Sequence, residues 1–207
     1  MKPPEIVVFD LGKVLVDFDY GIAARRLAAR CAMEVEEIRK SVEQSSLLVR
    51  YETGQLSTAE FFSEARAAIQ FPGNQTEFSA LFSDIFTPIE EMIALHSELV
   101  AAQIPTFIFS NTNELAVQHI RKRFPFFSRF NGYVLSYELG AMKPQPEIYR
   151  AVEARTVRSG AEILYIDDRP ENVQAGAARG WQVIWHETPE KTNTLIRQLG
   201  WWPEGKS

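Results

Sequence analysis

The sequence is poor in cysteine: Cys31 stands alone. One thiol excludes an intrachain disulfide and any cysteine-based zinc site. It follows Ala28, Ala29 and Arg30 in a helical run and reads as a partly buried small residue, not as a nucleophile. Long apolar runs are also missing, and none approaches the roughly 20 residues needed to span a membrane. The opening MKPPEIVVFD has neither the long apolar stretch nor the small-residue cleavage site of a signal peptide, so cytoplasm is the expected location. Positive charge is not in excess. A formal net charge of -5 leaves no basic surface for nucleic acid, although a local lysine and a metal can still receive a phosphorylated substrate. There is no internal repeat, no low-complexity tail, and nothing that sets an oligomeric state.

What is present is a globular composition, 45% apolar and 24% charged, which excludes a disordered chain. With 207 residues, one domain or a medium core carrying a small insert can bury enough surface to stand without a staple. Ile6-Val7-Val8-Phe9 is a continuous apolar run that fits a central parallel strand buried on both faces, and it ends at Asp10. Residues 21 to 50 carry helical spacing, broken at Thr53-Gly54. Ser57-Thr58-Ala59-Glu60 has the form of a capping box opening a helix whose apolar face is Phe61, Phe62, Ala65 and Ile69. After the Pro72-Gly73-Asn74 loop another helix is predicted near residues 75 to 84, so 17 to 87 reads as all-helical, with no strand.

From Thr87 onward strands and helices alternate. Thr87-Pro88-Ile89-Glu90 reads as a second capping box with proline at the first helical position. Strands are predicted at Pro105 to Phe109, Gly132 to Leu135, Ile163 to Ile166 and Gln182 to Trp185, and the last helix runs from Thr188-Pro189 to Gly200. Trp201 and Trp202 read as cover for a surface or a contact between copies. The expected architecture is α/β, a doubly wound, mostly parallel sheet formed by residues 1–16 and 88–207, with residues 17–87 as an inserted all-helical cap.

Polar groups gather at the ends of separate strands: Asp10, Ser110-Asn111, Lys143 and Asp167-Asp168. In an open α/β sheet these ends converge on one edge, where ligands bind. Carboxylates suit a hard cation such as Mg²⁺, while lysine, hydroxyl and backbone N–H groups suit phosphate. A carboxylate can also attack phosphorus and form an aspartyl-phosphate. Asp17 and Asp19 are weaker candidates, since they mark the entry to the helical segment.

In this order the segments Phe9-Asp10-Leu11-Gly12-Lys13-Val14-Leu15, Phe109-Ser110-Asn111-Thr112, Gly140-Ala141-Met142-Lys143-Pro144 and Ile166-Asp167-Asp168-Arg169-Pro170 resemble the four motifs of the haloacid dehalogenase superfamily, over nearly the whole chain. The helical segment resembles that superfamily's small helical cap. Asp10-Leu11-Gly12, followed by Tyr51-Glu52-Thr53-Gly54-Gln55-Leu56-Ser57, is similar to the branch of small bacterial sugar-1-phosphate phosphatases and the N-terminal domain of mammalian soluble epoxide hydrolases. The resemblance implies a Rossmann-like core and a Mg²⁺-dependent phosphatase acting on a small phosphorylated metabolite, with no nucleic acid or membrane as partner. Asp10 would be the nucleophile and a metal ligand. The Gly12 carbonyl and Asp168 would be further metal ligands, and Asp167 would act through water or orient the ligand shell. Ser110, Lys143 and the N–H groups of Leu11 and Asn111 would cradle the phosphoryl group. Arg50, Tyr51 and Glu52 are the candidate cap contacts to substrate.

One departure stands out. The superfamily's phosphatases mostly carry a second aspartate two residues after the nucleophile, as proton donor to the leaving group; this chain has Gly12 there. Three readings follow: a substrate with a good leaving group, such as a sugar-1-phosphate; a cap carboxylate or water in place of the acid; or a weakly active or non-catalytic phosphate- and metal-binding protein. A dehalogenase is the other alternative, and the Asp167-Asp168 pair speaks against it, since that chemistry needs no metal.

Overall fold

The structure, a computed structural model, describes residues 3–199. Gly200, Trp201, Trp202 and the tail from Pro203 to Ser207 therefore lie outside the described residues, with the expectations placed on them. Ile6–Phe9 (β1) is the middle strand of a five-stranded sheet, as four consecutive fully buried apolar residues require. Thr106–Ser110 (β4) and Ile163–Asp167 (β6) flank it, and Gly132–Leu135 (β5) and Gln182–Trp185 (β7) form the edges, in the order β5-β4-β1-β6-β7 with every pair parallel.

Alternation along β1 divides the core between the two faces. Val7 and Phe9 pack with Met92, Leu95 and Leu99 of Glu90–Ala101 (α6), and with Ile196 of Pro189–Gln198 (α11). Ile6 and Val8 pack with Ile148, Tyr149 and Val152 of Pro146–Thr156 (α9), and with Trp181 beyond Pro170–Ala177 (α10). Helices thus cover both faces, and the strand order reverses around β1, which places a ligand crevice at its carboxyl end.

Between β1 and α6 lie five helices: Tyr20–Ala28 (α1), Val35–Ser41 (α2), Ser46–Glu52 (α3), Thr58–Ile69 (α4) and Gln75–Ser83 (α5). They enclose their own core, in which Tyr51 stacks on Phe61 at 4.3 Å between centroids. Leu115, from Glu114–Arg123 (α7) of the sheet layer, enters that core, so the helical cap rests on α7. The Ser57–Glu60 capping box forms, with Ser57 N donating to Glu60 Oε2 at 2.8 Å. Cys31 lies just beyond the end of α1 and is partly buried.

Two features differ from the sequence reading. Residues 17–87 are not wholly helical: Val16–Phe18 (β2) and Phe86–Pro88 (β3) pair antiparallel where the chain enters and leaves the cap. Three-residue strands are too short to print an alternation, which is why the pattern misses them. Nor does Thr87 to Glu90 form a capping box. Pro88 ends β3, where no ladder donor is needed, and Ile89 precedes α6 without a side-chain cap while its N–H reaches Leu15 O at 3.0 Å. Among the described residues no helix is long and apolar enough to cross a membrane.

Candidate active site

The parallel register brings three strand ends to one level. Phe9 is level with Ile108 on β4 and Ile166 on β6, and Asp10 N donates to Ile166 O at 2.8 Å. Asp10 and Asp167 therefore emerge side by side, level with Phe109, and Ser110 follows one residue beyond. Lys143 arrives from the loop after Ser136–Leu139 (α8), buried to 6% exposure. Its ammonium lies 2.9 Å from Asp10 Oδ1 and 2.6 Å from Asp167 Oδ2, and donates to Phe109 O at 3.0 Å.

Asn111 holds that lysine in place. Its carboxamide oxygen accepts from Lys143 N at 2.7 Å and its amide donates to Lys143 O at 3.0 Å. Asp167 is fully buried, and its oxygens accept from Lys143, the Tyr165 hydroxyl, Arg169 N at 2.8 Å and Asn172 Nδ2 at 3.0 Å. These donors fix the Asp167 carboxylate, which in turn anchors Lys143. Leu11 N is likewise engaged, donating to Asp10 Oδ1 at 2.7 Å.

Burial works against the Lys143 ammonium, but Asp10 and Asp167 outweigh it and hold its pKa above the ordinary value. Burial also penalises the Asp167 carboxylate, yet Lys143, Tyr165 and the Arg169 N–H keep it ionised below the usual range. Asp10 is pushed up by burial and by the charges of Asp167 and Asp168, with Lys143 opposing. Asp168 is raised by burial and by Asp167. One oxygen from each of the three carboxylates lies within 4.8 Å of the others. Three carboxylates against one ammonium leave an excess of negative charge in a sheltered place. The donor set is hard oxygen throughout, and a hard divalent cation fits it.

A cleft of about 250 Å³ lies over this cluster, lined by Asp10, Gly12, Lys143 and Asp168 from the sheet side and by Phe18, Tyr20 and Glu52 from the cap side. An adjoining space shares Gly12, Phe18, Tyr20, Glu52 and Asn111 and reaches Leu11, Ser110 and Thr112. The expected residues are thus assembled, with exceptions. Arg50 lines neither space; it pairs with Glu64 on α4 at 2.8 and 3.0 Å. Tyr51 is buried in the cap, its hydroxyl accepting from Leu115 N at 3.1 Å. Asp19 caps α1 through Gly21 N at 2.7 Å, and Asp17 pairs with Lys13. Sequence reasoning passed over Asn172, Tyr165, Phe18 and Tyr20, which carry no motif of their own. Asn172 lies one helical turn after Asp168, a spacing that returns a side chain to the strand end.

The chain is 24% identical to the D-ribitol-5-phosphate phosphatase of Bacteroides thetaiotaomicron, over 86% of this chain and 89% of that one. It is 27% identical to a sesquiterpene phosphatase of Aspergillus oryzae, over 72% and 77%. Its fold matches a haloacid dehalogenase family enzyme of B. thetaiotaomicron with a TM-score of 0.83 at 23% identity, covering 95% of this chain and all of that one. The wild-type form of that enzyme has also been crystallised with magnesium and inorganic phosphate; there the TM-score is 0.75 at 22% identity, over 87% of this chain and 93% of that one. The profile of the haloacid dehalogenase-like hydrolases spans residues 4–180, and the chain belongs to that family.

Proposed function

We propose that this hydrolase is a Mg²⁺-dependent phosphatase of small phosphomonoesters, working through an aspartyl-phosphate on Asp10. The observation that carries the reading is the Asp10 carboxylate: it stands at the end of β1, 2.9 Å from a buried lysine and inside a cluster of three carboxylates fit to hold a cation. Asp10 and Asp168, with the Gly12 carbonyl, would hold Mg²⁺, which when bound neutralises charge on the cluster and on phosphate. Asp10 attacks phosphorus in line, Lys143 balances the phosphoryl charge, and Ser110 with the N–H of Asn111 holds its oxygens. Water then opens the acyl phosphate.

The polar and aromatic cleft suits a sugar or polyol phosphate. A sugar-1-phosphate is the finer form of the proposal, since its anomeric leaving group asks least of a site with glycine at position 12. The relatives' names, a polyol phosphate phosphatase and a sesquiterpene phosphatase, support phosphate ester cleavage while differing in the alcohol.

Phosphate release from p-nitrophenyl phosphate and from a panel of sugar phosphates tests the reading, with Mg²⁺ and after exhaustive EDTA treatment. Turnover should need the metal and should fall by several orders of magnitude in folded Asp10→Asn, because an amide cannot attack as a carboxylate does. Full activity without divalent metal would return the dehalogenase reading. Near-parent turnover in Asp10→Asn would remove the nucleophile.

A further inference from the structure

Position 12 supplies no acid, and a side chain there would press on the Phe18 ring. A Cβ built on Gly12 comes 2.8 Å from Phe18 Cε1, and Phe18 is held on β2 by its pairing with Phe86. The carboxyl groups that line the two connected spaces are Asp10, Asp168 and Glu52. The first two belong to the cation cluster, so Glu52 is left for proton transfer.

Glu52 stands where the two spaces join, lining both. It is the last residue of α3, at the negative end of the helix dipole, where a second negative charge is disfavoured. The Tyr20 hydroxyl donates to Glu52 Oε1 at 3.5 Å. The buried Asn113 Nδ2, which has no partner of good geometry among the described residues, lies beside this pair. Burial pushes the Glu52 carboxyl up to about 7, with Tyr20 and Asn113 opposing, so a protonated fraction persists near neutral pH. Its backbone is fixed to the sheet layer: Ser136 Oγ donates to Glu52 O at 2.6 Å and accepts from Thr112 N at 2.9 Å, two residues past Ser110.

We propose that Glu52, delivered by the cap, is the proton donor to the leaving-group oxygen, in place of the acid that Gly12 lacks. The proposal rests on the phosphatase reading, not on the sugar-1-phosphate form of it. As Asp10 bonds to phosphorus and the ester P–O bond breaks, the Glu52 proton passes to the departing oxygen, giving a neutral alcohol and a Glu52 carboxylate. When water attacks the acyl phosphate, its oxygen bonds to phosphorus. One of its protons stays on the phosphate, the other returns to Glu52, and Asp10 leaves as carboxylate.

The test is kcat/KM across a graded series of aryl and alkyl phosphates of similar size, in the parent and in Glu52→Gln, with Mg²⁺ present. This quantity reports the steps through departure of the alcohol. Alkyl phosphates should lose roughly 10²–10⁴-fold in the variant, and p-nitrophenyl phosphate less than about tenfold, because phenolate leaves without a proton. The variant's retained kcat/KM for aryl phosphates reports that it is folded. Should Glu52→Gln not fold, Glu52→Asp keeps the charge, withdraws the carboxyl by one methylene and should show a smaller loss of the same alkyl-selective kind. An equal loss across the series, or none, overturns the donor role while Mg²⁺-dependent turnover by the parent leaves the phosphatase reading standing. A parent that releases no phosphate from any member overturns both.

Discussion

Lys143 has two carboxylates within 3 Å and almost no contact with water. An ammonium in that position is charged before substrate arrives and offers a fixed positive pole to the phosphoryl group as charge shifts during transfer. Lys143→Ala should therefore lower kcat by roughly 10²–10³-fold and not merely raise KM. It should also destabilise the fold by about 3–5 kcal/mol, since Asp167 is left buried without its cation. Steady-state kinetics and chemical denaturation read the two effects; an unchanged kcat with a raised KM would make Lys143 a uniform binding residue. At this scale the sequence was most legible where a strand end dictates position, as at Asp10 and Asp167. It was least legible in the cap. Arg50 and Glu52 are two residues apart on α3, so they point about 200° apart around the helix. Once Leu47, Leu48 and Tyr51 face the cap core, the rotation that turns Glu52 to the cleft turns Arg50 out to Glu64.

At the scale of elements, the site is a joint between two layers. The sheet layer supplies Asp10, Ser110 and Asp167 because parallel strands of matched length end together. The cap wall depends on docking of the loop after α3. Gly54 has φ +66°, and a Cβ on it would overlap the carbonyl oxygen of Tyr137. Gly54→Ala thus carries both the strain of a left-handed backbone, about 1–3 kcal/mol, and a collision with α8, which holds Ser136. The expected outcome is a lower thermal midpoint together with a kcat/KM that falls more for alkyl than for aryl phosphates, as Glu52 moves off its station. Parent-like values for both would show that the cap loop tolerates displacement. Short, largely apolar runs made the five parallel strands readable. β2 and β3 were not, because their partner is another three-residue strand some seventy residues away and neither has length enough to announce a period.

For the molecule as a whole, folding brings Asp10 to the neighbouring pair Asp167-Asp168, and the cost of that repulsion is stored until a cation relieves it. Mg²⁺ should therefore raise the thermal midpoint of the parent. A free concentration near 100 Kd stabilises by about 2.7 kcal/mol, or on the order of 5–10 °C for a chain of this size. Asp168→Ala should lose most of that increment while gaining stability in EDTA from reduced repulsion around Asp10. Scanning calorimetry or fluorescence-monitored melting checks both; an equal Mg²⁺ shift in parent and variant would remove Asp168 from the ligand set.

The antiparallel pair β2–β3 has a consequence for ancestry and engineering. Chain entry and exit lie side by side, Val16 opposite Pro88 and Phe18 opposite Phe86. Cross-strand Cα atoms are only roughly 5 Å apart. The chain thus crosses between the sheet layer and the cap through a doorway two short strands wide. Any segment whose ends are that close can be spliced there without moving β1 or α6. A new alcohol-binding wall, together with its proton donor, can then be acquired in one insertion while the phosphate-handling residues stay untouched.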